Sequence, residues 1–208
     1  MKQYKNEFFN SVLTAADAFH SAKAALPAQE KELYSDFAGQ RLLDEINAIK
    51  TNASQLEKAL NDIHANLRDG MLAKAEESRS KLVKSKSLDP SAITADFQFL
   101  NLPGITLSFD ELQTLVTRNA YNDLFLRAAK NYEQEHSVSW RKEGNLNHID
   151  YASPHDKLIR AIHDSANYFT TWLSQGRGGY DFIRTNPCNL QQLDDYLTAC
   201  AEAAEVKL

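Results

Sequence analysis

The chain has 208 residues, of which 43% are apolar and 25% are charged, and its formal net charge is −5. This composition is typical of a globular protein with a sizeable core, and it excludes a collagen-like or low-complexity chain. No apolar run approaches the roughly 20 residues that a transmembrane helix needs, so we expect no membrane partner. Two cysteines are too few for a disulfide framework.

The acidic charge is confined to the second part of the chain. Residues 1–90 contain 13 basic and 13 acidic residues, whereas residues 91–208 contain 10 and 15, which accounts for the whole net charge of −5. Nucleic-acid binding requires a basic stripe, and the one basic run, residues 79–86, is typical of an exposed helix end. The charge pattern therefore argues against a nucleic-acid partner.

The N-terminal region predicts an amphipathic helix. Its apolar residues recur at steps of three and four: Phe8, Val12, Ala15, Phe19, Ala22 and Leu26. Because a proline disfavours helix in the residue before it but suits a first helical turn, we expect this helix to end before Pro27 and a second one to begin there.

The second helix carries the most regular pattern. Its apolar residues follow one another at alternating steps of four and three: Leu42, Ile46, Ile49, Ala53, Leu56, Leu60, Ile63 and Leu67. This spacing is the 3.5-residue repeat of a coiled-coil seam. The helix is predicted to extend almost to Ser87, with Gly39 and Gly70 as candidate breaks, and the sequence leaves its continuity through Gly70 open.

Two explanations of this seam compete. Helices 1 and 2 can pair as an antiparallel hairpin, but a first helix of about 20–25 residues would cover only the beginning of the second. The remainder then needs either the C-terminal half or another chain as cover. We therefore predict a homo-oligomer or partner interface, with these contact residues: Leu42, Ile46, Ile49, Leu56, Leu60, Ile63 and Leu67.

Helix caps organise the second half after a joining segment with a short apolar stretch. Ser108 and Glu111 form a capping-box pattern, Asn122 is expected to cap a helix ending near His136, and Ser153 precedes another helix. A final helix is predicted from about Asn189, and no strand pattern of convincing length occurs. We predict an all-α fold: residues 1–88 form a long helical hairpin with a coiled-coil seam, and residues 89–208 form a compact helical bundle.

No catalytic, cofactor or metal site is predicted. Histidines and aspartates concentrate between His148 and Asp164, but His155 and His163 are eight residues apart, about 12 Å along a helix, which is too far to share an ion. His155 is expected in a solvated first turn. The segment from Gly176 to Gly179 lacks the residues of a phosphate loop and indicates a helix C-cap with a connection.

One segment, from Asp96 to His136, resembles a sequence motif found in small helical proteins encoded near the capsid genes of tailed phages of Gram-positive bacteria. The matching positions are Leu100, Gly104, Ile105, Leu107, Ser108, Glu111, Leu112, Leu115, Arg118, Asn122, Leu126, Arg127, Tyr132 and His136. The resemblance implies a head-assembly or virion-associated role and supplies no catalytic residues. The chain departs from this motif at Pro103, and its last 70 residues or so have no counterpart in those proteins.

We therefore expect a non-catalytic phage structural or assembly protein in the virion or host cytoplasm, where it contacts itself and capsid, portal or inner-core proteins. A cellular helical adaptor that uses the same surfaces is the main alternative. A further alternative is an all-α enzyme in which His148, His155 and His163 line a pocket.

Overall fold

The computed structural model describes residues 3–82, 93–142 and 147–208. Within these residues the chain is helical and contains no strand, which confirms the all-α prediction. In chain order the helices are α1 (Glu7–Asp36), α2 (Gly39–Leu82), α3 (Asp96–Phe99), α4 (Phe109–Arg118), α5 (Asp123–Lys142), α6 (Pro154–Leu173), α7 (Arg177–Thr185) and α8 (Pro187–Ala203).

The first two helices form the predicted antiparallel hairpin, but the turn lies elsewhere. Pro27 is inside α1, and the chain turns after Asp36, where Gly39 has a φ of +61°. A proline in a helix interior loses a hydrogen bond and crowds the preceding turn. Packing of α1 against α2 offsets this cost, and it includes an ion pair between Glu30 and Lys50 (3.1 Å) beyond the proline. The prediction that a second helix begins at Pro27 was wrong.

Helix α2 continues through Gly70 without a break. Its 44 residues correspond to about 66 Å at 1.5 Å per residue. A methyl group at Gly70 would meet nothing within 4 Å, so packing does not require the glycine there. The end predicted near Ser87, like the later part of the basic run, lies outside the described residues.

The chain divides into two compact units. Unit 1 comprises Met1–Lys74 and Ile159–Leu208, and unit 2 comprises Ala75–Leu158. Helices α2 and α6 each contribute residues to both units. This division differs from the predicted one at residue 88, because the C-terminal helices pack with the N-terminal hairpin rather than with the segment they follow.

Aromatic packing and a buried carboxylate join the two ends of the chain in unit 1. The rings of Phe8 and Phe9 on α1 meet Phe169 on α6 edge to face, with centroids 5.5 and 5.3 Å apart. Asp194 on α8 is fully buried and accepts hydrogen bonds from the backbone N–H groups of Lys5 (2.7 Å) and Asn6 (2.9 Å). Asp194 is therefore a structural anchor, although its position beside Asp195 in the sequence suggests an exposed acidic face.

The core of unit 2 is built around the backbone of Leu107. Its N–H donates to the hydroxyl of Tyr132 (2.7 Å), and its carbonyl accepts from the indole N–H of Trp140 (3.0 Å). Apolar side chains from α4, α5 and the connecting segments surround this point: Leu112, Leu115, Val116, Phe125, Ala129 and Ile149. Two residues of α5 thereby fix the segment that leads into α4.

The predicted helix caps are confirmed. Ser108 accepts from the N–H of Glu111 (3.3 Å) while the Glu111 carboxylate accepts from the N–H of Ser108 (2.8 Å), which completes a capping box. Asn122 accepts from the N–H of Phe125 (3.1 Å), and Ser153 from that of Asp156 (3.1 Å). Each cap satisfies N–H groups that a helix start leaves unpaired.

Candidate functional site

The seven residues predicted to bind a partner are largely used inside the chain. Ile46 and Leu60 are buried, and the others are half-buried: Leu42, Ile49, Leu56, Ile63 and Leu67. Helix α1 covers this face, and α6 approaches it where the imidazole of His64 lies 3.2 Å from the carbonyl oxygen of Ala166. A partner interface at these residues stays a prediction, but the intramolecular packing reduces the apolar surface that they can offer.

A shallow apolar groove lies on unit 2. Its volume is about 340 Å³, and its apolar walls come from Phe99 at the end of α3, Leu107, and Leu115 on α4. Polar groups at its margin belong to α4: Asp110, Glu111, Thr114 and Arg118. The groove therefore combines an apolar floor with charges of both signs, which is the usual anatomy of a protein contact surface.

The segment that forms one wall of this groove also exposes large apolar side chains. Ile93 and Ile105 are 61% and 59% exposed, Phe99 is 43% exposed and Leu102 is 37% exposed. Gly104, with a φ of +78°, makes the turn that places Leu102 and Ile105 outside the core. A run of apolar side chains in water is unfavourable unless another surface covers it. The sequence analysis treated this segment only as a connection, whereas its exposed side chains make it a candidate contact surface. Its apolar residues after Asp89–Pro90 were the sequence signal that could have indicated this.

Hydrogen bonds and ion pairs hold the groove in shape. Asp96 at the start of α3 accepts from the amide of Asn119 (2.7 Å) and from the guanidinium of Arg118 (3.3 Å), which ties α3 to the end of α4. The N–H and hydroxyl of Ser108 donate to Glu111, and these bonds lower the pKa of the Glu111 carboxyl. The groove is thus preformed between two fixed helices.

The three histidines considered as a possible site do not come together. His148 and His163 are exposed, whereas His155 is fully buried, so its predicted position in a solvated turn was wrong. The reason was visible in the spacing, since His155, Leu158 and Ile162 share one apolar face of α6. Among the described residues no group of three or more His, Cys, Asp or Glu side chains could hold a metal ion.

His155 links three elements of unit 2. Its Nδ1 lies 2.7 Å from the hydroxyl of Tyr121, and its Nε2 lies 2.9 Å from Oγ of Ser78. Burial, followed by the charge of Arg79, lowers the pKa of His155, and Asp156 opposes the shift. Ser78 lies within α2, where backbone N–H groups are engaged in helical hydrogen bonds and are therefore not free to stabilise an oxyanion.

Two further sequence features are the glycine-rich segment and the two cysteines. Gly176 ends the turn after α6 with a φ of +69°, and residues 177–179 form the first turn of α7, a helix that the sequence did not predict. Cys188 is exposed and Cys200 is buried, and both are free thiols.

The comparisons with other proteins give no assignment. No protein-family model, no curated protein and no solved structure matches the chain. Within the described ranges no helix is long and apolar enough to cross a membrane.

Proposed function

We propose that this chain is a non-catalytic phage head-assembly or virion structural protein that works through helix-mediated contacts. Its partners are further copies of itself and capsid, portal or inner-core proteins, in the virion or the host cytoplasm. The observation that carries the proposal is the exposure of Ile93, Phe99, Leu102 and Ile105 in the segment that also forms one wall of an open apolar groove. Three of these four residues belong to the segment that resembles phage head-region proteins.

The chemistry of the groove favours a helix of another chain as its occupant. A helix offers apolar side chains at positions i, i+3 and i+4, and a cleft of about 340 Å³ accepts one or two of them between Phe99 and Leu115. Arg118 faces a carboxylate of its own unit, Asp96, while Asp110 and Glu111 give the remaining margin a negative charge. We therefore expect a partner helix with an apolar stripe flanked by lysine or arginine.

The absence of a catalytic role in this proposal has its own support. The imidazole of buried His155 lies 2.9 Å from Oγ of half-buried Ser78, but the backbone N–H groups around Ser78 are engaged in the hydrogen bonds of α2. His148 and His163 are exposed, whereas His155 is buried. The cellular adaptor would use the same groove, so the identity of the partner separates the two functions.

Light scattering of the purified chain tests self-association. We expect a concentration-dependent mass above the 23.4 kDa of one chain, and we expect Ile105→Ser and Phe99→Ser to return it to the monomer. Leu43→Ser is the matched control, because Leu43 is 54% exposed on α2, in unit 1.

Co-sedimentation tests the phage partner. The chain is mixed with empty heads assembled from the major capsid protein encoded beside it, and we expect it to sediment with the heads unless Ile105 is replaced by serine. A strict monomer that does not sediment with the heads, or a coding sequence with no neighbouring head genes, would refute the proposed function.

A further inference from the structure

A cleft with a volume of about 380 Å³ lies within unit 1, and helices α1, α7 and α8 contribute its walls. The apolar part of the walls consists of Leu13, Pro187 and Leu190. Ligand cavities commonly have volumes between about 300 and 1,000 Å³, so this cleft is large enough for a small molecule. Four polar side chains line the same cleft: Tyr4, Asp17, Tyr180 and Arg184.

One acid and one base lie side by side in this cleft without a direct hydrogen bond. Nη1 of Arg184 on α7 is 4.0 Å from Oδ1 of Asp17 on α1, which is too far for a hydrogen bond. The hydroxyl of Tyr180 donates to that same oxygen at 2.5 Å, and burial followed by this bond raises the pKa of Tyr180 to about 12. No described residue donates to Oδ2 of Asp17, and the five N–H donors of Arg184 are likewise not used up. Both charged groups can therefore engage a ligand.

Tyr4 brings a buried hydroxyl without a protein partner to the cleft. Its side chain is 7% exposed, and the bonds that it makes with Asn10 (2.9 Å each) involve its backbone N–H and carbonyl. The hydroxyl bonds to no described residue, yet it is not among the fully enclosed polar atoms that lack a partner. It therefore keeps access to solvent, and the cleft is the opening that Tyr4 lines.

This hydroxyl is a donor at neutral pH. Burial, followed by the negative charge of Asp194, raises the pKa of Tyr4, so the phenol stays protonated. A buried donor without a partner is costly, because it has lost most of its hydrogen bonding to water. An oxygen atom of a ligand in the cleft would supply the missing bond.

The arrangement of these groups is complementary to a small zwitterion. One acid and one base line the cleft, so its charges favour neither a lone anion nor a lone cation. In an α-amino acid the ammonium and carboxylate groups share one carbon, two bonds of about 1.5 Å apart. Both can therefore lie beside side-chain charges that are 4.0 Å from each other. A peptide terminus carries only one of the two charges.

We propose that this cleft binds a free α-amino acid with an apolar side chain. The carboxylate of the ligand accepts from the guanidinium of Arg184 and from the hydroxyl of Tyr4. Its ammonium group donates to Oδ2 of Asp17, and its side chain packs on Leu13 and Leu190. The proposal concerns unit 1 alone, so its outcome is independent of the groove and of the proposed partner.

Calorimetric titration of the intact chain tests the proposal. We expect L-leucine and L-phenylalanine to bind, because each carries both charges and an apolar side chain. N-acetyl-L-leucine lacks the ammonium charge and L-leucinamide lacks the carboxylate. Each should bind about fivefold more weakly or worse, since a hydrogen bond to a charged group contributes that much. These probes test the contacts with Asp17 and Arg184 without any change to the protein.

Two substitutions test the protein side of the same contacts. Arg184→Gln removes the charge that faces the ligand carboxylate, and Tyr4→Phe removes only the hydroxyl, so each should weaken the binding of L-leucine by about fivefold or more. Arg177→Gln is the matched control, because Arg177 belongs to the same helix, has similar side-chain exposure (62% against 67%) and pairs with Asp181 outside the cleft. This variant should bind as the wild type does, and circular dichroism checks that all three remain folded.

Three results would overturn the proposal. The first is the absence of heat with either amino acid. The second is equal affinity for L-leucine, N-acetyl-L-leucine and L-leucinamide, because the cleft would then recognise no zwitterion. The third is equal weakening by Arg184→Gln and Arg177→Gln, which would indicate a general effect of charge instead of a contact in the cleft.

Discussion

Gly179 of α7 lies so close to the backbone of α6 that no side chain fits between them. A Cβ atom placed on Gly179 would be 1.8 Å from the carbonyl oxygen of Trp172 and 2.8 Å from its carbonyl carbon. A carbon–oxygen contact needs about 3.3 Å, so Gly179→Ala requires the two backbones to separate by about 1.5 Å. Because the obstacle is backbone rather than a flexible side chain, rotation of a side chain cannot relieve it.

That separation would disturb the packing of α7 on α6. It would pull apart the stacked rings of Trp172 and Phe182, whose centroids are 4.0 Å apart, and loosen the buried side chains of Tyr180 and Ile183. Overpacking of this kind costs up to about 3 kcal/mol. Alanine recovers at most about 1 kcal/mol through its higher helix propensity. We therefore expect Gly179→Ala to lower the free energy of unfolding by about 2 kcal/mol.

Urea unfolding followed by circular dichroism measures this effect, and the neighbouring glycine provides the control. A Cβ on Gly178 would meet nothing within 4 Å, so Gly178→Ala should leave the free energy of unfolding unchanged or raise it by up to about 1 kcal/mol. If the two variants unfold at the same urea concentration, α7 does not pack on Trp172 as described, and the reasoning is refuted.

Further predictions concern a helix interior, a buried carboxylate and a buried imidazole. Gly70→Ala should raise the free energy of unfolding by about 0.5–1 kcal/mol, because the glycine lies within α2 with open space around it; a lower melting temperature would show that α2 breaks there. Asp194→Asn should lower the same free energy by about 2–3 kcal/mol, since both side-chain oxygens of Asp194 accept N–H groups and an amide would present an N–H donor in place of one of them. Exposed Asp195→Asn should change it by less than about 1 kcal/mol, and equal urea midpoints would argue against the anchor. The pKa of His155 is lowered from 6.5, so below about pH 6.5 the unfolded state binds more protons and stability should fall as the pH decreases. His155→Gln should reduce that fall between pH 7 and 5, and an unchanged pH profile would contradict a buried, neutral imidazole.

Local sequence patterns were sufficient to predict most of the described helices. The caps at Ser108, Asn122 and Ser153 were predictable, because a capping side chain bonds to N–H groups two or three residues away and needs no distant partner. The seam of α2 was also evident, since a repeat of apolar residues predicts a buried helix face whatever covers it.

The identity of the covering surface depended on tertiary structure. The sequence predicted a first helix that ends at Pro27, which left part of the seam without cover and favoured a second chain. In the structure α1 runs on to Asp36, and α6 approaches α2 at His64. The proline was a local signal, and long-range packing outweighed its cost.

The candidate groove likewise depended partly on the sequence and partly on the tertiary structure. Sequence identified the segment around Gly104 by its resemblance, but only the fold showed that Phe99 and Ile105 remain exposed while Leu107 is fixed by α5. The sequence by itself determined the all-α class and the helix starts, because both arise from interactions within a few residues. Tertiary structure decided which apolar faces were covered and which polar groups were buried, since distant segments bring the atoms that cover them.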